Sequence, residues 1–305
     1  MTKLLEKRDR ALGAFMGLAV GDALGTTLEF VKRKDVVPIA DMVGGGPFGL
    51  KPGQWTDDTA MALCLADSLN ACGTLNQRDL AERFQRWRLK GENSVTGVCF
   101  DIGGATKQAL IRFAQTDDPV AGSTDPNDGG NGSLMRLSPV AVRFHDVATA
   151  VEAARRQSEV THASAECMDA CALFAEVLVL AIDGADKASV LQARERALAP
   201  KIAGIASGAW QAKTEAQISS TGYVVHTLEA ALWCVHHSDN FHDAVLRAAN
   251  LGHDADTVAA VTGQLAGAIW GLSGIPAAWL EKLAWRDDLV ARATRLWDAG
   301  VADAR

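Results

Sequence analysis

Between Val258 and Leu280 the chain runs for 23 residues without a charged side chain. A stretch of that length is long enough to cross a bilayer. Its content argues otherwise. It is rich in Ala and Gly, contains Pro276, and directly follows Asp254 and Asp256. These features predict a buried central helix of a water-soluble fold. Gly263, Gly267 and Gly271 recur every four residues and, with Ala259, Ala260 and Ala266, make a face of low relief. An interior Gly costs up to about 1 kcal/mol relative to Ala, so a repeated one points to a neighbouring helix at close range.

The rest of the chain fits around such a helix. Period-2 alternation of β-branched residues persists nowhere, while Ala, Leu, Gln, Glu and Arg dominate. Helical patterns are expected at about 7–24, 56–72, 76–89, 103–115, 138–156, 163–182, 187–198, 222–236, 241–249, 255–271 and 287–298. No linker or repeat array separates them. The expectation is an all-α protein, one compact orthogonal helical domain spanning 1–305. Two long loops stand out at 32–54 and 117–133, and long loops in compact domains are often functional.

The net charge of −7 and pI near 5.5 argue against a nucleic-acid or anionic-membrane binder, which needs a basic face. The six cysteines lie in apolar stretches without regular spacing, as free thiols in a reducing cytoplasm would. The charged start MTKLLEKRDR lacks a signal-peptide core, which also points to a cytoplasmic protein. A monomer without a membrane span is expected.

Chemistry concentrates at two helix starts. Thr56-Asp57-Asp58-Thr59 precedes the apolar run AMALCLADSL, and Asp254-Ala255-Asp256-Thr257 precedes VAAVTGQLAGAIWG. Each places two carboxylates and a threonine at the N-terminus of an apolar helix. Capping of backbone N–H groups accounts for one carboxylate per helix. Converging buried carboxylates repel unless a cation joins them, so the pair favours a metal centre. Oxygen-only ligands suit a hard ion, Mg²⁺ or Mn²⁺, and two meeting clusters suit two ions. A third segment, Gly21 to Glu29, carries Asp22 and Glu29 and is weak evidence alone.

In this order the chain contains GDALGTTLE, GQWTDDTAMALCLADSL, FDIGGAT, GNGSLMRLSPVA, THAS, GYVVHTLEAALW and NLGHDADTVAAVTGQLAGAIWG. Together these resemble the ADP-ribosylglycohydrolase family, specifically the bacterial type similar to dinitrogenase reductase-activating glycohydrolase. The resemblance runs from about residue 10 to about residue 273. It implies an all-α fold, a binuclear Mg²⁺ or Mn²⁺ centre, and hydrolysis of the N-glycosidic bond joining ADP-ribose to a protein side chain, usually arginine. The partners it implies are an ADP-ribosylated protein as substrate and ADP-ribose as product.

By resemblance, the metal ligands fall on Glu29, Thr56, Asp57, Asp58, Asp254, Asp256 and Thr257. Asp101 matches an acidic residue near the reacting ribose; N-capping of a helix from about Gly103 is equally compatible with it. Asp101 and Glu29 are both candidates for the acid/base. The segment from Gly130 to Arg136 looks like a diphosphate cradle, with Asn131, Gly132, Ser133 and Met135 as binding residues. His162 matches a pocket-lining histidine, and Tyr223 a position near the adenine or its ribose. His253, beside the metal cluster, is expected to be neutral or turned outward. The alternative function is a catalytically silent ADP-ribose-binding or immunity-type protein with the same pocket.

Overall fold

The computed structural model describes residues 2–303. Among these residues there are α-helices, short 3₁₀ turns and three isolated bridges, but no strand. The helices are α1 (Thr2–Gly25), α2 (Asp57–Cys72), α3 (Gln77–Lys90), α4 (Gly104–Thr116), α5 (Ser138–Arg143), α6 (Val147–Glu159) and α7 (Ala165–Ile182). They continue with α8 (Lys187–Leu191), α9 (Pro200–Ala206), α10 (Val224–His236), α11 (Phe241–Ala249), α12 (Ala255–Trp270), α13 (Ala277–Lys282) and α14 (Arg286–Asp303).

The charge-free segment is the buried helix α12, and its longest partner is α1. The two lie antiparallel along a strip of small residues. A Cβ on Gly17 would stand 2.1 Å from the carbonyl oxygen of Gly263, and one on Gly21 equally close to that of Ala259. The strip runs from the Gly13–Gly267 pair to the Gly25–Ala255 pair, so the two backbones are in contact along it. The recurrence of Gly13, Gly17, Gly21 and Gly25 is the partner of the low-relief face, and it is as visible in the sequence as the α12 repeat. The α1 segment is itself long and apolar enough to cross a membrane, but its apolar window is 94% buried inside the protein. Around this pair pack α2, α5, α7, α10, α11 and α14.

Two expected spans differ. The helix expected over 138–156 is two, because Asp146 accepts the N–H of Thr149 and starts α6 afresh. The helix expected over 187–198 stops at Leu191, where the Arg194 guanidinium takes the carbonyls of Ser189 and Val190. Pro200 then opens α9. The helix expected over 255–271 is α12, and Gly271, with φ of 78°, ends it inside the uncharged run, before a short turn and α13.

The antiparallel packing has one consequence for chemistry. It brings the C-terminal end of α1, with Asp22 and Glu29 beyond it, beside the N-terminus of α12, with Asp254 and Asp256.

Candidate metal centre and binding cavity

The centre is built where α1, α2 and α12 meet. Asp22 reaches from α1 to the start of α2. Its Oδ1 accepts the backbone N–H and the hydroxyl of Thr56 at 2.8 and 2.9 Å. Its Oδ2 accepts the N–H and hydroxyl of Thr59 at 2.9 and 2.7 Å. Thr56 occupies the N-cap position of α2 but its own side chain caps nothing. The capping that the sequence assigned to one carboxylate per helix is therefore supplied to α2 from another helix. Asp57 and Asp58 are free for other work.

On α12 the arrangement is similar. Asp254 stands at the N-cap without a side-chain cap bond, and the backbone N–H of Asp256 points at Glu29 Oε2 at 3.4 Å. The Thr56 hydroxyl lies 3.2 Å from Asp256 Oδ2, and the Thr257 hydroxyl 3.3 Å from Asp58 Oδ2. Asp22, Asp58 and Asp256 offer oxygens all within 4.8 Å of one another, and so do Glu29, Asp254 and Asp256. Asp256 is common to both groups, so the two sets of carboxylates that could hold a cation adjoin and share one residue.

The electrostatics fit positive charge. Burial and the neighbouring carboxylates push Asp22 and Asp254 up to about 7 and Asp101 up to about 9. The same causes hold Glu29, Asp57 and Asp58 well above the ordinary carboxylate range. Asp58 Oδ1 is buried without any hydrogen-bond partner. A buried carboxylate oxygen with no donor is costly, and a hard cation satisfies it. The donor set contains only oxygens, so the residues fit divalent ions of the Mg²⁺ or Mn²⁺ kind.

The carboxylates open into a cavity of about 340 Å³ lined by Glu29, Asp57, Asp101, Asn131, Asp254 and Asp256, among others. It joins a wider chamber of about 680 Å³ whose rim carries Lys32, Arg33 and Lys34. Asp101 has φ of 56° and lines the cavity, while the N-cap of α4 is Gly103, with no side-chain cap. Asp101 does not cap α4. Gly103, Gly104, Ala105 and Thr106 line the same cavity, so the uncapped N-terminus of α4 faces it. This anion-attracting element was not singled out from the sequence, although the Gly-Gly pair in FDIGGAT marks it.

The expected binding residues divide. Asn131, Gly132, Met135 and His162 line the cavity. The Asn131 amide donates to Asp254 Oδ2 and to Thr227 Oγ1, tying the loop to the carboxylate cluster. His162 is buried and held neutral, its pKa depressed to about 3 by desolvation. Its ring occupies the space that a Cβ on Gly130 or Gly132 would need. From the core side, Arg136 donates to the Gly132 carbonyl at 3.0 Å. Ser133 does not bring its side chain to the cavity: its hydroxyl is turned into the core, where it accepts from Ser158 and Cys171. Tyr223 also stands outside the carboxylate cavity. Its hydroxyl donates to Glu166 and accepts from Lys201, whose ammonium lies 5.0 Å from the ring centroid. His253 has φ of 60° and its Nε2 faces the backbone N–H of Arg33 at 3.5 Å, away from the cluster.

A profile of the ADP-ribosylglycohydrolase family matches residues 4–304. The chain is 50% identical over 291 residues to the ADP-ribosylarginine hydrolase Tri1 of Pseudomonas putida (strain GB-1), an alignment covering 95% of this chain and 78% of that one. It is 34% identical over 280 residues to the ADP-ribosyl-[dinitrogen reductase] glycohydrolase of Rhodospirillum rubrum, covering 90% of each. A solved structure titled "ADP-ribosylglycohydrolase-related protein complex" superposes with a TM-score of 0.86 at 40% identity, over 97% of this chain and 99% of that one. The chain belongs to the ADP-ribosylglycohydrolase family.

Proposed function

We propose that the protein hydrolyses the N-glycosidic bond between ADP-ribose and a modified protein side chain, arginine in the first place. The observation that carries this is the pair of carboxylate groups sharing Asp256: Glu29–Asp254–Asp256, which lines the cavity, and Asp22–Asp58–Asp256, in which Asp22 and Asp58 are fully buried. The relatives named as ADP-ribosylarginine hydrolases support arginine as the linkage.

In this reading Glu29, Thr56, Asp57, Asp58, Asp254, Asp256 and Thr257 hold two divalent cations, Mg²⁺ or Mn²⁺. Such ions supply Lewis acidity toward the ribose hydroxyls and water. The uncapped N-terminus of α4 and the Asn131–Gly132 backbone receive the diphosphate. The bond to be broken joins the anomeric carbon to a guanidine nitrogen. A water oxygen forms the new bond to that carbon, and the nitrogen takes the bonding pair. A guanidine anion is a poor leaving group, so the nitrogen must receive a proton as the bond breaks. Asp101 and Glu29 line the cavity; burial beside the other carboxylates raises the Asp101 carboxyl toward its protonated form, whereas Glu29 in this reading is a cation ligand and therefore ionised. Asp101 gives its proton to the departing nitrogen and, as the carboxylate so formed, takes the proton released by the attacking water; Glu29 orients the sugar side.

The test is release of ADP-ribose from ADP-ribosylarginine with Mg²⁺, with Mn²⁺ and after chelation. Intact ADP-ribose formed only with a divalent ion supports the proposal. AMP as product indicates cleavage at the diphosphate instead. Tight ADP-ribose binding without turnover on arginine, serine or O-acetyl linkages indicates a silent binding protein and rejects the enzyme.

A further inference from the structure

Phe30 is 65% exposed, and it sits at φ of 61°, where a β-carbon is crowded. Two bonds hold it there: its N–H donates to the His253 carbonyl, and the His253 N–H donates to the Val31 carbonyl, both at 2.7 Å. A bulky aromatic side chain kept exposed in a strained backbone calls for a reason outside the fold.

Its neighbours supply one. The Phe30 ring meets Phe48 with centroids 6.2 Å apart, and Phe48 meets Phe100 at 5.3 Å. Phe48 rides on a small loop closed by reciprocal bonds between Gly45 and Leu50. The Thr27 hydroxyl donates to the Gly44 carbonyl at 3.0 Å, tying that loop to the turn that leads into Glu29. Phe30 follows Glu29 in the chain, and Phe100 precedes Asp101. The three rings thus make a shelf whose two ends are the backbone neighbours of the two cavity carboxylates.

We propose that Phe30, Phe48 and Phe100 form the leaving-group subsite, where the aliphatic stem and flanking peptide of a modified arginine lie while its guanidine sits between Glu29 and Asp101. The inference rests on the hydrolase function proposed above and extends it to the protein side of the scissile bond. Position and shape decide the occupant. The rings adjoin the two residues placed at the scissile bond, Glu29 and Asp101, and arginine packs its methylenes and planar head on aromatic rings.

Phe48 lies outside the cavity lining, so it can be altered without touching the nucleotide site. Phe48→Ser should raise KM for an ADP-ribosylated arginine peptide about tenfold with kcat little changed. The affinity for free ADP-ribose, measured by calorimetry, should stay the same. Phe48→Trp should restore the peptide KM, which separates loss of the ring from loss of the fold. An unchanged KM in Phe48→Ser overturns the subsite. A parallel loss of ADP-ribose affinity overturns it too, by placing the base on the shelf. If the wild-type protein releases no ADP-ribose from arginine, the hydrolase proposal falls first and this subsite with it.

Discussion

Asp22 on α1 caps α2 by accepting both the backbone N–H and the hydroxyl of Thr56, at 2.8 and 2.9 Å. With the matching pair from Thr59, four donors converge on one carboxylate. That contact fixes the rotation of α2 about its axis, and with it the directions of Asp57 and Asp58. Asp22→Asn keeps the shape but turns one oxygen into an amide that meets the Thr59 donors. The cost should be about 1–2 kcal/mol of stability, the usual size of a lost cap. The Mn²⁺-induced rise in melting temperature should shrink as well, while far-UV circular dichroism stays helical. An undiminished Mn²⁺ effect would show that Asp22 does not position the cluster.

The Gly17–Gly263 contact sets the distance between α1 and α12, and the carboxylates at their shared end depend on it. Gly17→Ala puts a Cβ 2.1 Å from the Gly263 carbonyl oxygen and forces the helices apart. Overpacking of this kind costs about 1–3 kcal/mol. Gly204, in α9, faces open space, so Gly204→Ala should instead be neutral or stabilise by up to about 1 kcal/mol. Urea midpoints of the two variants compare them directly. Equal midpoints would remove the strip as the determinant of the packing.

The residues that were legible in the sequence are those whose chemistry is unusual for their place. Paired acids ahead of an apolar helix, as at Asp57–Asp58 and Asp254–Asp256, conflict with burial, and the conflict marks the site. Asp22 was undervalued because its role depends on a contact with residues 34 and 37 positions away, which no local pattern encodes. The inward turn of the Ser133 hydroxyl was not legible, because a glycine-rich segment shows that backbone can approach a ligand, but not which side chain faces the core. The break between α5 and α6 was readable from Asp146 and Thr149, but the apolar spacing on either side continues in register and hides it.

Without divalent ions the buried acids make stability depend on pH. Asp22 and Asp254 titrate near 7 in the folded protein, Asp101 near 9, and all three near 3.8 when unfolded. Each raised carboxyl binds its proton more tightly in the folded state. Its contribution is full below the unfolded value and is lost as pH rises through the folded one. The chelated protein should therefore melt at a higher temperature at pH 5 than at pH 8. Added Mn²⁺ should displace those protons and stabilise more at pH 8 than at pH 5. A melting temperature that rises with pH after chelation would contradict the buried acidic cluster.

Asp101 separates proton donation from cation holding, because it lines the cavity but belongs to neither close group of carboxylates. Its φ of 56° is one that Asn tolerates well, so Asp101→Asn should leave the backbone in place. The amide cannot give up a proton to a departing guanidine. Turnover of ADP-ribosylarginine should fall by about 10²–10⁴-fold, the usual share of a general acid. The affinity for ADP-ribose and for Mn²⁺ should change little. The linkage supplies an internal control. A substrate with an activated leaving group, such as an aryl ADP-ribose, needs no proton, so Asp101→Asn should retain most of its activity there. Equal losses on both substrates would assign Asp101 to binding the sugar and transfer the donor role to Glu29.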